Sequence, residues 1–393
     1  MTVTADAVII GGGVIGCSAA YELSKRGMRV ILVEKNFLAS GSTARSSAII
    51  RQHYSNKTTA YMALYGLRVF QNFEDIVGGP ADFRNTGCAF LVAGKDVPGF
   101  RANIAMQKQV GVKTEFISHA ELRALEPSIV LSDDVYAAYE AEGGYADPVA
   151  TTSSFAQAAR NLGAEIWQDT RVTRVLMERE RIAGVETTRG AIAAANVINC
   201  TNAWAAGIAA MVGITLPIHA ERHPIVMFQQ QPHLEKPRMV IGDFVKEIYY
   251  RPEGPALTLT GSVATEHGHI IPDPDNYNTG VEDEYIVELG TLLAERHPVM
   301  SNALSKGGYS GMYGVTPDWH PIIDELPAGS SFFVAAGFSG HGFKLSPAVS
   351  VMIADMVTRK SEPTDKLDRA LFRFARFAEN ARVHGTYGDG IVG

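Results

Sequence analysis

Residues 7–34 read AVIIGGGVIGCSAAYELSKRGMRVILVE, and that stretch decides the fold. Val8-Ile9-Ile10 is a short apolar strand, followed at once by Gly11-Gly12-Gly13-Val14-Ile15-Gly16. Helix-period apolar residues continue to Arg26, Gly27 offers a C-cap, and Val30-Ile31-Leu32-Val33 is a second strand ending in Glu34. In the G-x-G-x-x-G set, Gly11 turns the chain tightly and Gly13 lets the backbone approach a pyrophosphate. Gly16 lets the helix lie close to the sheet. The helix N-terminus then presents unpaired N–H groups and a partial positive charge to the diphosphate. Glu34 stands where a carboxylate accepts hydrogen bonds from ribose hydroxyls and repels a 2′-phosphate. Strand, loop, helix, strand and acid together predict binding of FAD or NAD, not NADP.

The bulk numbers narrow the class. At 393 residues, 46% hydrophobic and 20% charged, the chain is long enough for two joined domains or one large one. A net charge of −7 gives no reason to expect nucleic acid or an anionic membrane as partner. No run reaches the length of a membrane span, and the first strand begins without a basic leader. Cys17, Cys88 and Cys200 have no metal-ligand spacing. They suit a reducing cytosol, so a cytoplasmic protein without a metal is expected.

One fingerprint occurs. A reductase carrying electrons from nicotinamide to flavin usually needs a second, and Gly337-Phe338-Ser339-Gly340-His341-Gly342 has the wrong glycine order. It also fails as a G-x-S-x-G nucleophile elbow, because His341 stands where the last glycine belongs. Patterning elsewhere predicts helices over 58–74, 120–124, 147–162, 281–295 and 347–357, with a further helical stretch over 367–381. Phe372, Phe374 and Phe377 in that last stretch read as core. Strands are expected over 165–199, 224–228, 247–251, 256–260 and 332–336. This order predicts an α/β fold: a Rossmann-type nucleotide domain from residues 1–80, 144–215 and 325–393, under a β-rich substrate domain from 81–143 and 216–324.

The motifs resemble a known family. The fingerprint, Gly41-Ser42 with Ile49-Ile50-Arg51, Gly144 to Pro148, Tyr313-Gly314-Val315-Thr316-Pro317-Asp318 and Gly337 to Lys344 are similar to the FAD-dependent amine oxidoreductases of the D-amino-acid oxidase superfamily. Sarcosine oxidase, monomeric or β-subunit, and dimethylglycine dehydrogenase are the nearest in pattern. The resemblance spans almost the whole chain. It implies an FAD-binding domain with a β-rich substrate domain, and oxidation of a C–N bond in a carboxylate-bearing secondary or tertiary amine. Hydride would pass to flavin N5 and the imine would hydrolyse. The acceptor would be oxygen or another electron carrier, and partner subunits of a heteromeric complex remain an alternative, as does a flavin monooxygenase.

The resemblance also implies roles. Arg51 and Lys344 would hold the substrate carboxylate, one with a planar fork and the other with a point charge. Tyr249 would line the substrate pocket, although Tyr250 beside it is hard to tell apart, and His341 would pack near the flavin. Gly11, Gly13, Val14, Ile15, Gly16, Glu34, Lys35, Ser42, Thr43, Arg45 and Ser46 would contact FAD. So would Val172, Thr201, Gly337, Gly340, Gly342, Phe343 and Lys344. Lys344 and a helix opening near Ser346-Pro347 would stabilise negative charge on the reduced ring.

Two departures matter. The monomeric oxidase ties its flavin to a cysteine where this chain has Gly311, and the dehydrogenases use a histidine where it has Arg45. Non-covalent FAD is therefore expected. The lysine that activates oxygen in the monomeric oxidase belongs in the strand after Tyr249-Tyr250-Arg251-Pro252, and Ala256 to Gly261 contains none.

Overall fold

Strand β1 (Val3–Ile10), helix α1 (Val14–Lys25) and strand β2 (Val30–Val33) form where the glycine pattern puts them. The structure is a computed structural model that describes residues 3–264, 267–360, 367–383 and 385. β1 lies at the centre of a parallel set, with Gly190–Asn199 on one side and β2 on the other. Glu165–Trp167 extends it beyond β2, and Phe332–Ala336 beyond Gly190–Asn199. An antiparallel meander, Val172–Glu178 and Arg181–Thr187, joins through Gly190–Asn199.

Both faces of this sheet are covered, which is why its strands are continuous apolar runs. Ala7, Ile9, Leu32, Ile198 and Phe333 face a layer that includes α1 and the helices Pro148–Asn161 and Gly342–Thr358. Val8, Ile10, Ile31, Val33, Val197 and Val334 pack on the other side with Val185, Ala205 and Ala209. Gly16 makes the close helix packing possible, since a β-carbon there would stand 1.9 Å from the Gly11 carbonyl oxygen.

A second, mixed sheet runs from His269–Ile271 through His219–Gln229, Leu257–Ser262, Ile248–Glu253 and Val240–Asp243. It continues to Cys88–Ala93, Val135–Glu140 and Thr114–Ile117. Leu304–Val315 pairs antiparallel along His219–Gln229. The helix Asp283–Arg296 covers one face of it through Leu289 and Leu293. A three-stranded ribbon, Ile49–Ile50, Gly144–Tyr145 and Arg84–Asn85, sets the chain leading into Arg51. Among the described residues, no helix is long and apolar enough to cross a membrane.

Three elements differ from the sequence reading. The helix Val97–Val110 falls in a stretch read only as mixed; Pro98 and Gly99 at its start obscure a buried stripe at Phe100, Ile104 and Gln107. The helix expected from Pro347 begins at Gly342, so Lys344 lies in its first turn and not in a loop. Pro347 has no N–H for the Phe343 carbonyl, and the Ser346 hydroxyl donates to that oxygen instead, at 2.8 Å. The helical stretch over 367–381 is two short 3-10 turns, Ala370–Phe372 and Phe374–Phe377, with an extended Arg373 between them. Tertiary bonds override the local helix there: Arg376 holds Asp318 at 2.7 and 2.9 Å, and Phe374 N donates to Asp324 at 3.0 Å.

Candidate active site

A cavity of about 570 Å³ runs from the carboxyl ends of β1 and β2 to the second sheet. Gly11, Gly13, Val14, Ile15, Glu34, Lys35, Val172 and Thr201 line the end on the parallel sheet. The loop residues Ser42, Thr43, Arg45 and Ser46 form one wall, while Tyr249, Gly340, Gly342 and Phe343 reach it from the far end. Gly16 and Gly337 are absent from the lining. Gly16 acts beneath it, and Gly337 ties the loop to Asn202 through its N–H, 3.1 Å from Asn202 Oδ1.

The walls suit an elongated, polar and anionic molecule. Gly11 has φ +110°, and a β-carbon there would lie 2.8 Å from the Cys200 carbonyl oxygen. The Val14 N–H at the helix start is met only by the Thr43 hydroxyl, at 3.2 Å. The Ser42 hydroxyl is buried with no partner among the described residues. Glu34 is held in place, accepting from Gly12 N at 2.7 Å and Asn36 N at 2.8 Å. The cradle suits FAD: Gly11, Gly13 and the helix start would hold its diphosphate, and Glu34 would face its ribose.

Several residues here were not found by sequence reasoning. Asp275 joins the Lys35 ammonium and accepts from Trp204 Nε1 at 2.9 Å, closing the loop around Pro274 over the nucleotide end. His223 stacks on Tyr313 with ring centroids 3.9 Å apart, and both line the cavity. Tyr313 belongs to a motif quoted from the sequence; the long separation from it hid His223. Tyr249 and Tyr250 separate as strand alternation requires. Tyr249 lines the cavity, whereas the Tyr250 hydroxyl bonds His297 Nε2 at 2.8 Å within the core.

Arg51, Lys344 and His341 lie outside that lining, in a buried cluster next to Gly340 and Phe343. The Arg51 guanidinium sits 4.5 Å from the centre of the Tyr54 ring and donates to the His53 carbonyl. The Tyr54 hydroxyl meets His341 Nδ1 at 3.1 Å, and His341 Nε2 is buried without a partner. Lys344 is 5% exposed, and among the described residues its ammonium has no hydrogen bond or ion pair. Burial, and then the charge of Arg51, pull Lys344 well below the usual lysine range. Burial, and then Lys344 and Arg51, keep His341 neutral. Two basic side chains thus stand close enough in this cluster for Arg51 to depress the charge of Lys344, and a third, His341, is kept neutral beside them.

Two further buried histidines, His53 and His320, bond within the protein itself. His53 stacks on Phe90 at 4.5 Å, and its pKa falls to about 3 through burial and then Arg51. His320 contacts the Asp318 carbonyl at 2.7 Å. Asp318, within the Thr-Pro-Asp motif, is bound by Arg376 and not by the cavity. Cys17, Cys88 and Cys200 are free and buried. Among the described residues no group of three His, Cys, Asp or Glu could hold a metal ion.

A doubly covered parallel sheet, a glycine cradle at its strand ends and a carboxylate after the second strand define a dinucleotide-binding protein. The DAO family model, described as FAD dependent oxidoreductase, matches residues 6–356, and the chain belongs to that family. Its cofactor is therefore FAD. The chain is 28% identical over 356 residues to mitochondrial sarcosine dehydrogenase of Homo sapiens, covering 87% of this chain but 38% of that protein. Thus it spans about two fifths of the length of the first curated relatives it matches. Monomeric sarcosine oxidase of Streptomyces avermitilis is 28% identical over 374 residues, 91% of this chain and 94% of that one. Among solved structures, L-proline dehydrogenase from P. horikoshii superposes with a TM-score of 0.88 at 30% identity, covering 97% of this chain and 99% of that chain.

Proposed function

We propose that this protein oxidises a C–N bond of a small amine that carries a carboxylate, such as an N-methyl or cyclic amino acid. The observation that carries this reading is Lys344, whose buried amine has no ion pair among the described residues, in one cluster with Arg51. FAD, when bound, supplies the two-electron acceptor. The protein's own part is to position the substrate. Arg51 and Lys344 fix the carboxylate, and a charge-assisted pair in this dry setting gives orientation as well as affinity. Neutral His341, bonded to Tyr54, supplies a polar wall that adds no positive charge against a departing hydride. Tyr249 and Tyr313 close the cavity side and exclude water.

Relatives named sarcosine dehydrogenase, monomeric sarcosine oxidase and L-proline dehydrogenase support the class without fixing the substrate. An anaerobic screen of N-methyl and cyclic amino acids, following bleaching near about 450 nm, tests it. Bleaching by carboxylate-bearing amines but not by the matching amides is the expected result. Equal bleaching by both would remove the clamp from the reading.

A second reading rests on a relative named sarcosine oxidase subunit beta, 24% identical over 98% of this chain. Here the protein would be the flavin subunit of a heteromeric complex and pass electrons to a partner. Co-purification from its native source, with flavin reoxidation dependent on the co-purifying chain, tests that arrangement.

A further inference from the structure

Glu140 is fully buried, at the end of the strand Val135–Glu140. Its Oε2 accepts the N–H of Gln52, the residue after Arg51, at 2.8 Å. Its Oε1 is buried with no partner. Across the ladder it pairs with Cys88 on one side and Thr114 on the other. The Thr114 hydroxyl is likewise buried and unpartnered, and so is Gln52 Nε2. Electrostatically, Cys88 feels Glu140, Arg51 and Lys344 together, and Tyr54 feels Arg51 and Glu140. A third ionisable group therefore lies near Arg51, and nothing in the carboxylate clamp requires it.

We propose that Glu140 is a positioning residue of that clamp, and that it takes up a proton when the substrate carboxylate arrives. This rests on the carboxylate-binding reading of Arg51 and Lys344. While ionised, Glu140 holds the Gln52 backbone and offers Arg51 a negative charge in the empty site. An incoming carboxylate places a second negative charge in the same dry cluster, where two anions cannot both persist at low cost. Protonation removes the conflict. Oε2 keeps its bond to Gln52 N, and the proton is carried on Oε1, which has no bond to lose. Burial, opposed by the Gln52 N–H and then Arg51, already lifts the Glu140 pKa to about 7.

The sign follows from linkage. A second anion raises the Glu140 pKa further, so binding takes up a proton near neutrality and affinity falls as pH rises above about 7. Other charged or titratable groups around Glu140 are Arg51, Tyr54, Cys88 and Lys344. Of these, Lys344 could also take a proton on anion binding, so the test must separate the two.

The FAD-loaded enzyme is titrated with propionate, a carboxylate without an amine, following the visible flavin spectrum in weak buffer with a pH indicator. Wild type should take up a large fraction of one proton, and its Kd should rise several-fold between about pH 6.5 and about pH 8.5. Glu140→Gln, which can still accept from Gln52 N, should lose the uptake and hold its Kd within about twofold. Lys344→Met should bind more weakly yet keep the uptake. No proton uptake by wild type overturns the proposal without any variant. Uptake that survives in Glu140→Gln and vanishes in Lys344→Met assigns the proton to Lys344 and also overturns it. Wild type that binds propionate and propionamide alike at every pH would instead overturn the clamp reading itself.

Discussion

Gly311 lies against the backbone of Arg45, so close that a β-carbon at 311 would stand 3.1 Å from the Arg45 carbonyl oxygen. These are the two positions at which the resemblance locates flavin attachment in other members, one in a loop and one on a strand, far apart in sequence. Both line the same cavity here, and neither is a nucleophile. Arg45 is committed elsewhere, its guanidinium donating to the Ser40 carbonyl at 2.6 Å and the Gly41 carbonyl at 3.2 Å. FAD should therefore be held without a covalent bond. Acid precipitation should leave the yellow colour in the supernatant, and a pellet retaining flavin absorbance would contradict this.

Arg51→Ala and Lys344→Ala should each weaken carboxylate substrates while leaving FAD in place, since neither residue lines the nucleotide cavity. Losing one partner of a desolvated charge pair costs on the order of 2–5 kcal/mol, which is roughly thirty- to several-thousand-fold in kcat/KM. Steady-state kinetics on the best amine from the anaerobic screen, with flavin content measured in parallel, checks this. An unchanged kcat/KM in either variant would remove that residue from the clamp.

How far the sequence reaches can be seen at Lys344. Its motif identified it, because a glycine-rich segment after a buried strand has a local signature. Its setting was misjudged, because Pro347 signals a helix start, while the compensating Ser346 hydroxyl cannot be weighed without coordinates. The β1–α1–β2 unit was legible because its turn, packing and strand signals all agree locally. Glu140, Asp275 and His223 were invisible for the opposite reason. Their importance comes only from partners 88, 240 and 88 residues away, namely Gln52, Lys35 and Gly311. Tyr249 and Tyr250 were separable only once the register to Gly261 and Thr260 was set.

Asp318 and Arg376 form a two-bond pair that is almost wholly buried and fastens the last described turns to the rest of the chain. Breaking such a pair from one side costs about 3–5 kcal/mol, so Asp318→Asn should melt several degrees lower. Burial raises the Asp318 pKa, but Arg376 and the Val383 and His320 N–H groups outweigh it and hold the carboxyl below its ordinary value. Its folded pKa being depressed, the stabilisation is present above the unfolded value of about 3.9 and is lost as pH falls through the folded one. Melting curves should show a constant gap between wild type and variant above about pH 5, closing below about pH 4. A gap that stays the same into acid would mean that packing, not charge, is what the substitution removes.

The electron acceptor depends on which side chains face the cavity from the strand Leu257–Ser262. Tyr249 pairs with Gly261 and Arg251 with Leu259, so Gly261 and Leu259 share the Tyr249 face, while Thr258 and Thr260 turn toward the Tyr250 side. Neither face of this strand offers an ammonium. Superoxide forms first when oxygen takes an electron from a reduced flavin, and a fixed cation nearby speeds the step by stabilising that anion. Without one, the reduced enzyme should react slowly with oxygen and work better with dyes or a partner protein. Reduced enzyme mixed with air-saturated buffer in a stopped-flow instrument measures this directly. Reoxidation slower than substrate turnover is expected. Reoxidation as fast as turnover would mean that another cation serves, and Arg45, the guanidinium that lines the cavity beside Gly311, is the first to replace. Arg45→Ala should then slow the oxygen step at least tenfold, about 1.4 kcal/mol, with anaerobic flavin reduction unchanged.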